Sequence, residues 1–169
     1  MKKAKKAKKA VAKKRPVAKK AAKRAAPKKV AKPKDGRPSK FWWPTLSTFL
    51  TVRDGQAAIE FYARAFGFET YGDVMRGDDG RVQHAGMRLG EAAIMFGPPE
   101  GANGLQLREG GAHSQTLYVY VPDVDALAGR AQRAGAMVVQ ALTDQDWRDR
   151  TAVFVDPDGY HWTFATHLD

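Results

Sequence analysis

The run Asp144-Gln145-Asp146-Trp147-Arg148-Asp149-Arg150 sets a tryptophan three residues before an arginine, among acidic neighbours. The Arg150 guanidinium could hold a carboxylate through two parallel hydrogen bonds while the Trp147 indole covers the rest of a ligand. The alternative is an arginine satisfied by its own aspartates. The four histidines are the next candidates. His84 reads as an edge or structural position and His113 as a solvated linker residue. His161 follows a turn and is the better pocket residue, whereas His167, beside the terminal Leu168 and Asp169, is expected to fray. No nucleophile system is visible, because the serines are Ser39, Ser47 and Ser114 and none sits in a Gly-x-Ser-x-Gly turn. There is no glycine-rich phosphate loop. The absence of cysteine excludes disulfides, thiolate metal sites and cysteine nucleophiles. Asp78, Asp79, Asp156 and Asp158 read as turn residues, not as an acid/base pair.

These residues must be positioned by strands and two helices. Asp156-Pro157-Asp158-Gly159 is a turn: Pro157 pre-sets φ, Asp158 closes it, and Gly159 accepts positive φ. After it the pattern alternates, with His161, Thr163, Ala165 and His167 on one face and Trp162 and Phe164 on the other. Upstream, Ser47–Val52 alternates, Asp54 can cap a helix over Ala57–Phe66, and Gly67 stops it. Thr116–Val121, Asp123, Val124–Ala134 and Gly135 repeat that order at an offset of 69 residues. Three β-like runs follow each helix: Phe68–Met75, Arg81–Leu89 and Ala92–Phe96, then Met137–Leu142, Thr151–Val155 and His161–Thr166. The chain therefore reads as βαβββ twice, an α+β fold, with a Gly/Pro-rich link over Gly97–Ala112. Strand parity sends Leu50, Val52, Leu117, Val119, Val121, Trp162 and Phe164 toward the helices. The other face receives Ser47, Phe49, Thr51, Ala93, Met95, Thr116, Tyr118, Tyr120, His161, Thr163, Ala165 and His167. That lining of aromatic rings and hydroxyls suits a planar or amphipathic organic ligand; the alternatives are a dimer contact or a face turned to water.

The net charge of +11 divides unevenly. Residues 1–40 hold sixteen lysines and three arginines against Asp35 alone, while residues 41–169 hold ten arginines, no lysine and 17 acids. A basic arm of net +18 is thus joined to an acidic domain of net −7. The arm is Lys/Ala/Pro low complexity with nothing apolar to bury, and is expected to be disordered when free and similar in composition to a linker-histone tail. Its cations (Lys2, Lys3, Lys5, Lys6, Lys8, Lys9, Lys13, Lys14, Arg15, Lys19, Lys20, Lys23, Arg24, Lys28 and Lys29) are candidates for contacts to DNA phosphates without sequence preference. Nuclear import, a membrane-surface signal or no role are the rival readings. Trp42 and Trp43 mark the change to globular sequence, as core padding, a dimer contact or a ligand lid. No apolar run is long enough to span a membrane, and the charged N-terminus has no apolar segment behind it. A cytoplasmic, nucleoid-associated protein is expected.

The tandem βαβββ pattern, with Leu50-Thr51-Val52-Arg53-Asp54, Ala58-Ile59-Glu60-Phe61-Tyr62, Val119-Tyr120-Val121-Pro122-Asp123 and Asp156-Pro157-Asp158-Gly159-Tyr160-His161-Trp162, resembles the glyoxalase/bleomycin-resistance (vicinal oxygen chelate) superfamily. The resemblance covers roughly residues 44–168. It implies strands curving into a half-barrel with helices on the convex side, and a homodimer. The implied domain spans 41–169, with module one about 45–97 and module two about 113–168. Metal enzymes of the family carry a ligand on the first and last strand of each module, positions that fall at Ser47, Met95, Thr116 and Thr163. Three hydroxyls and a thioether are poor ligands for a divalent ion, so no metal or other cofactor is expected. The expectation is a metal-independent binding protein whose ligand meets Phe49, Met95, Thr116, Tyr118, Tyr120, Trp147, Arg150, His161 and Thr163. The alternatives are a lyase, dioxygenase or isomerase with an atypical site or none, and a nucleoid protein whose domain only dimerises.

Overall fold

The computed structural model describes residue 44, residues 46–99, residue 107 and residues 114–169. The basic arm, Trp42, Trp43, His113 and most of the inter-module link lie outside the described residues. Within them the predicted repeat is present. The first module contains β1 (Thr48–Thr51), α1 (Gly55–Phe61), two short strands β2 (Glu69–Thr70) and β3 (Met75–Arg76), then β4 (Val82–Leu89) and β5 (Ala92–Gly97). The second contains β6 (Thr116–Tyr120), α2 (Val124–Arg133), β7 (Met137–Asp144), β8 (Asp149–Val155) and β9 (His161–His167). The sheet orders are β1-β5-β4-β2, with β3 also on β4, and β6-β9-β8-β7. In both modules the first strand lies parallel to the last, β1 on β5 and β6 on β9, and the other pairs are antiparallel. The run 68–75, predicted as one strand, is broken into β2 and β3 around Gly72, whose φ is +81°.

Both helices are capped by the residues the sequence predicts, although α1 begins at Gly55 and not at Ala57. Asp54 Oδ1 accepts from the backbone N–H groups of Gln56 and Ala57 at 2.9 and 3.0 Å, and Asp123 Oδ1 accepts from that of Ala126 at 2.9 Å. α1 continues into one π-helical turn over Tyr62–Phe66, ended by Gly67 at φ +82°. A side chain at residue 67 would meet the Arg130 guanidinium at 2.9 Å. That guanidinium, from α2, donates to the Ala65 and Phe66 carbonyls at 3.2 and 3.0 Å and so satisfies the end of the first helix. The core between helices and sheets is continuous across both modules. Tyr62, Phe66, Trp162 and Phe164 are almost wholly buried in it, with Phe66–Phe164 and Phe66–Trp162 centroids 4.8 and 5.3 Å apart.

The Asp-Pro-Asp-Gly-Tyr turn does more than reverse the chain. Asp156 is buried and accepts four hydrogen bonds. Its Oδ1 takes the N–H groups of Asp158 and Tyr160 at 3.0 and 2.9 Å. Its Oδ2 takes the Tyr62 hydroxyl at 2.8 Å and the Trp162 indole N–H at 2.9 Å. Tyr160 Oη accepts from the Thr51 N–H at 2.9 Å and lies 3.2 Å from the Thr51 carbonyl, while Asp158 pairs with Arg53 at 3.0 Å. The motif therefore fastens the second module to β1 and α1 of the first.

Candidate functional site

The helix-free face of each sheet carries the predicted lining. Leu50, Val52, Trp162 and Phe164 are in the core, and Leu117, Val119 and Val121 pack against it, so the parity predicted for β1, β6 and β9 holds. In the first module Phe49 pairs in register with Met95 on that open face, both half-buried. His84 joins them, its ring 6.0 Å from that of Phe49. It occupies an interior strand flanked by β5 and β3, not an edge. Ser47 precedes β1, and its hydroxyl lies 3.4 Å from the Pro44 carbonyl.

In the second module the open face is built around a residue that the sequence reading treated only as an acidic neighbour. Asp149, the first residue of β8, is 1 % exposed. Its Oδ2 accepts from the hydroxyls of both Tyr118 and Tyr120 at 2.8 Å, and its Oδ1 lies 2.8 Å from His167 Nδ1. The tyrosines stand two residues apart on β6, and β9 separates β6 from β8. Their rings therefore cross β9, where the small Ala165 is fully buried. The two ring centroids are 5.4 Å apart, and the rings remain open to solvent, Tyr118 by 41 % and Tyr120 by 63 %. Trp147, on the turn into β8, is 60 % exposed. That turn is held by the Arg148 N–H on the Gln145 carbonyl at 3.0 Å, with Arg148 at φ +68°. The Arg148 carbonyl takes the Leu168 N–H at 2.7 Å. His167 is thus the last residue of an anchored strand, and its expected fraying is corrected by these contacts.

The electrostatics follow from this cluster. The His167 hydrogen bond holds the Asp149 carboxyl below the usual carboxylate range, with the tyrosine hydroxyls acting in the same sense and desolvation opposing them. The bond to Asp149 is the largest cause pushing Tyr120 up to about 12. Burial raises Tyr118 first, and Asp149 adds to it while the Trp147 indole acts in the opposite sense. Both phenols stay protonated at neutral pH, so neither serves as a phenolate base.

Arg150 does not join the cluster. Alternation along β8 puts it on the face of Ala152 and Phe154, toward α2. There it forms a fork with Asp125, Nε to Oδ2 at 2.9 Å and one terminal nitrogen to Oδ1 at 3.0 Å, and its other terminal nitrogen reaches Asp144 at 2.7 Å. The predicted Trp147–Arg150 pair is separated because successive strand residues face opposite ways. His161 is half-buried at the start of β9. Thr116 and Thr163, two of the positions where metal enzymes of the family place ligands, hydrogen-bond each other at 3.0 Å, and Thr116 also reaches the His161 carbonyl at 3.2 Å. Among the described residues no group of three or more His, Asp or Glu side chains could hold an ion. Hydroxyls committed to one another and a thioether do not fit a divalent metal.

A fold of tandem βαβββ modules defines a class of protein. The chain matches the Glyoxalase/Bleomycin resistance protein/Dioxygenase superfamily over residues 45–164 and belongs to it. It is 40 % identical over 126 residues to Rv0887c, an uncharacterized protein of Mycobacterium tuberculosis, covering 72 % of this chain and 74 % of the relative. Among solved structures it is similar to TioX from Micromonospora sp. ML1, with 29 % identity, a TM-score of 0.60, and 73 % of this chain and 98 % of that one covered. TnmS3, an antibiotic binding protein from Streptomyces sp. CB03234, shares the fold at 23 % identity and a TM-score of 0.53, with 72 % and 93 % covered. No helix among the described residues is long and apolar enough to cross a membrane.

Proposed function

We propose that this protein binds a small aromatic molecule on the open face of its second module, as a metal-independent, bleomycin-resistance-like member of the superfamily. One observation carries the reading: two solvent-open tyrosine rings are locked side by side because both hydroxyl protons are committed to one buried carboxylate. A pre-organised aromatic surface loses little entropy when a planar ligand stacks on it. The same commitment sets the polarity. Each phenol oxygen has spent its proton and retains acceptor capacity, and the rings stand over an anion. The site therefore favours ligands with hydrogen-bond donors or positive charge. An acidic ligand, which the sequence reading tied to Arg150, loses that support because Arg150 is already paired with two aspartates. TnmS3, an antibiotic binding protein, has the same fold, which supports a binding role here.

The test is titration of full-length protein with bleomycin and a panel of planar aromatic amines, read by Trp147 fluorescence with Trp147→Phe as the control. Saturable quenching that disappears in Tyr118→Ala and Tyr120→Ala is expected, with affinity unchanged in Arg150→Ala. Quenching indifferent to both tyrosines would remove the site. Elemental analysis finding one Ni, Zn or Fe per chain, lost on changing Met95, Thr116 and Thr163, would favour the enzymatic alternative instead.

The division of charge supports a second role. An arm of nineteen basic residues with one acid, joined to a domain of net −7, suits electrostatic binding of DNA, and would place the protein on the cytoplasmic nucleoid. Residues 1–40 are read as the arm, 41–169 as the ligand-binding domain, and the functional unit as a homodimer, testable by sedimentation at tens of micromolar.

A further inference from the structure

Three of the ten arginines in residues 41–169 line a single cavity of about 370 Å³. Arg53 follows β1, Arg76 ends β3 and Arg81 precedes β4. None of them belongs to the open-face cluster. In a segment with 17 acids and only ten bases, gathering three cations around one cavity runs against composition. The two acids in its lining, Asp54 and Asp79, are hydrogen-bonded to backbone and not to these guanidinium groups. Asp54 Oδ1 is held by the Gln56 and Ala57 N–H groups, Asp79 Oδ1 by the Arg81 N–H at 3.0 Å, and among the described residues neither forms an ion pair. Arg53 is paired with Asp158. Among the described residues Arg76 is held by neutral oxygens, the Gly80 carbonyl at 3.0 Å and Gln56 Oε1 at 2.7 Å. The Arg81 side chain has no partner among the described residues. Among the described residues two guanidinium groups thus border the cavity without a carboxylate bonded to them, one of them already fixed in position.

We propose that this cavity binds a small phosphorylated organic molecule, with Arg76 and Arg81 holding the phosphoryl oxygens. Guanidinium forks match phosphate oxygens in pairs, and two forks without a carboxylate bonded to them offer more N–H donors than a monocarboxylate can accept. The volume falls within the range of small-molecule sites, so room remains for an organic body beyond the phosphoryl group. The test uses the full chain and pyrophosphate as probe, by isothermal titration calorimetry at about physiological ionic strength to weaken diffuse attraction to the arm. The arm is identical in wild type and variants, so its contribution cancels in the comparison. Wild type should show a saturable site that weakens about tenfold to a hundredfold in Arg76→Gln/Arg81→Gln. Arg81→Gln alone, a change to a side chain with no partner among the described residues, should melt like wild type and still bind more weakly. Identical isotherms for all three proteins would overturn the proposal. So would weaker binding to duplex DNA with pyrophosphate binding unchanged, which would reassign these arginines to a nucleic-acid backbone.

Discussion

Replacing Asp156 with alanine should destabilise the domain far more than removing any one of its partners. The carboxylate accepts two bonds from its own turn and two from the buried Tyr62 hydroxyl and Trp162 indole. Without it, Tyr62 and Trp162, 1 % and 0 % exposed, keep donors with no acceptor and no water. Each such orphan costs about 1–3 kcal/mol, and the two lost turn bonds add about 0.5–1.5 kcal/mol each. A loss of about 3–9 kcal/mol is expected, a large fraction of the roughly 5–15 kcal/mol that holds a domain folded. The melting temperature should fall by more than about 10 °C. Tyr62→Phe removes a donor together with its bond and leaves Asp156 three others, so its cost should be about 1–2 kcal/mol. Urea unfolding followed by circular dichroism measures both. If Asp156→Ala stays within about 1 kcal/mol of wild type, or matches Tyr62→Phe, the motif is a turn and not an inter-module fastener.

Three further outcomes follow from the same geometry. Asp158→Asn should be neutral or slightly stabilising at pH 7, since an amide oxygen can still accept from the Arg53 N–H and guanidinium. Burial raises the folded pKa of Asp158, so its ionised form subtracts stability at neutral pH. That loss vanishes as pH falls through the folded value toward the unfolded one, so wild type and variant should converge in urea midpoints under acid; a constant gap would refute the assignment. Asp149→Asn should lower the ionisation of Tyr120 from about 12 toward the ordinary value, and that of Tyr118 by less because burial is its first cause. Phenolate absorbance during alkaline titration reports both, and an unchanged curve would detach the tyrosines from Asp149. For the arm, about ten engaged cations give a log–log salt slope near −9 on duplex DNA. A slope near zero, or equal binding by residues 41–169 alone, would sink that reading.

Most of the fold was legible because its signals are local. The caps Asp54 and Asp123, the helix stops Gly67 and Gly135, and the parity of β1, β6 and β9 each depend on a few neighbouring residues. The site was less legible because it depends on where one strand begins. Starting β8 at Thr151 leaves Asp149 and Arg150 in a loop, free to be paired with Trp147. Starting it at Asp149, as the structure does, sends Asp149 to the face of Thr151 and Arg150 to that of Ala152 and Phe154. Extending the alternation two residues would have separated them. The Asp125 fork on Arg150 and the Tyr62 bond to Asp156 were beyond pattern reading, since each joins residues 25 and 94 positions apart respectively.

The two ends of β8 show how the same chemical group divides between structure and function. Asp156, just past the strand, and Asp149, at its start, are both buried carboxylates bonded to phenol hydroxyls. The donors to Asp156 are backbone groups of its turn and core side chains, so nothing that arrives from solvent can reach them. The donors to Asp149 are rings and an imidazole that remain open to solvent. A ligand stacking on those rings touches groups whose orientation and polarity Asp149 has already set, without displacing the carboxylate. On the proposed function, Asp149 acts as a positioning residue beneath the binding surface. Its removal should reduce ligand affinity by freeing the tyrosines to rotate, with the fold fastened elsewhere by Asp156.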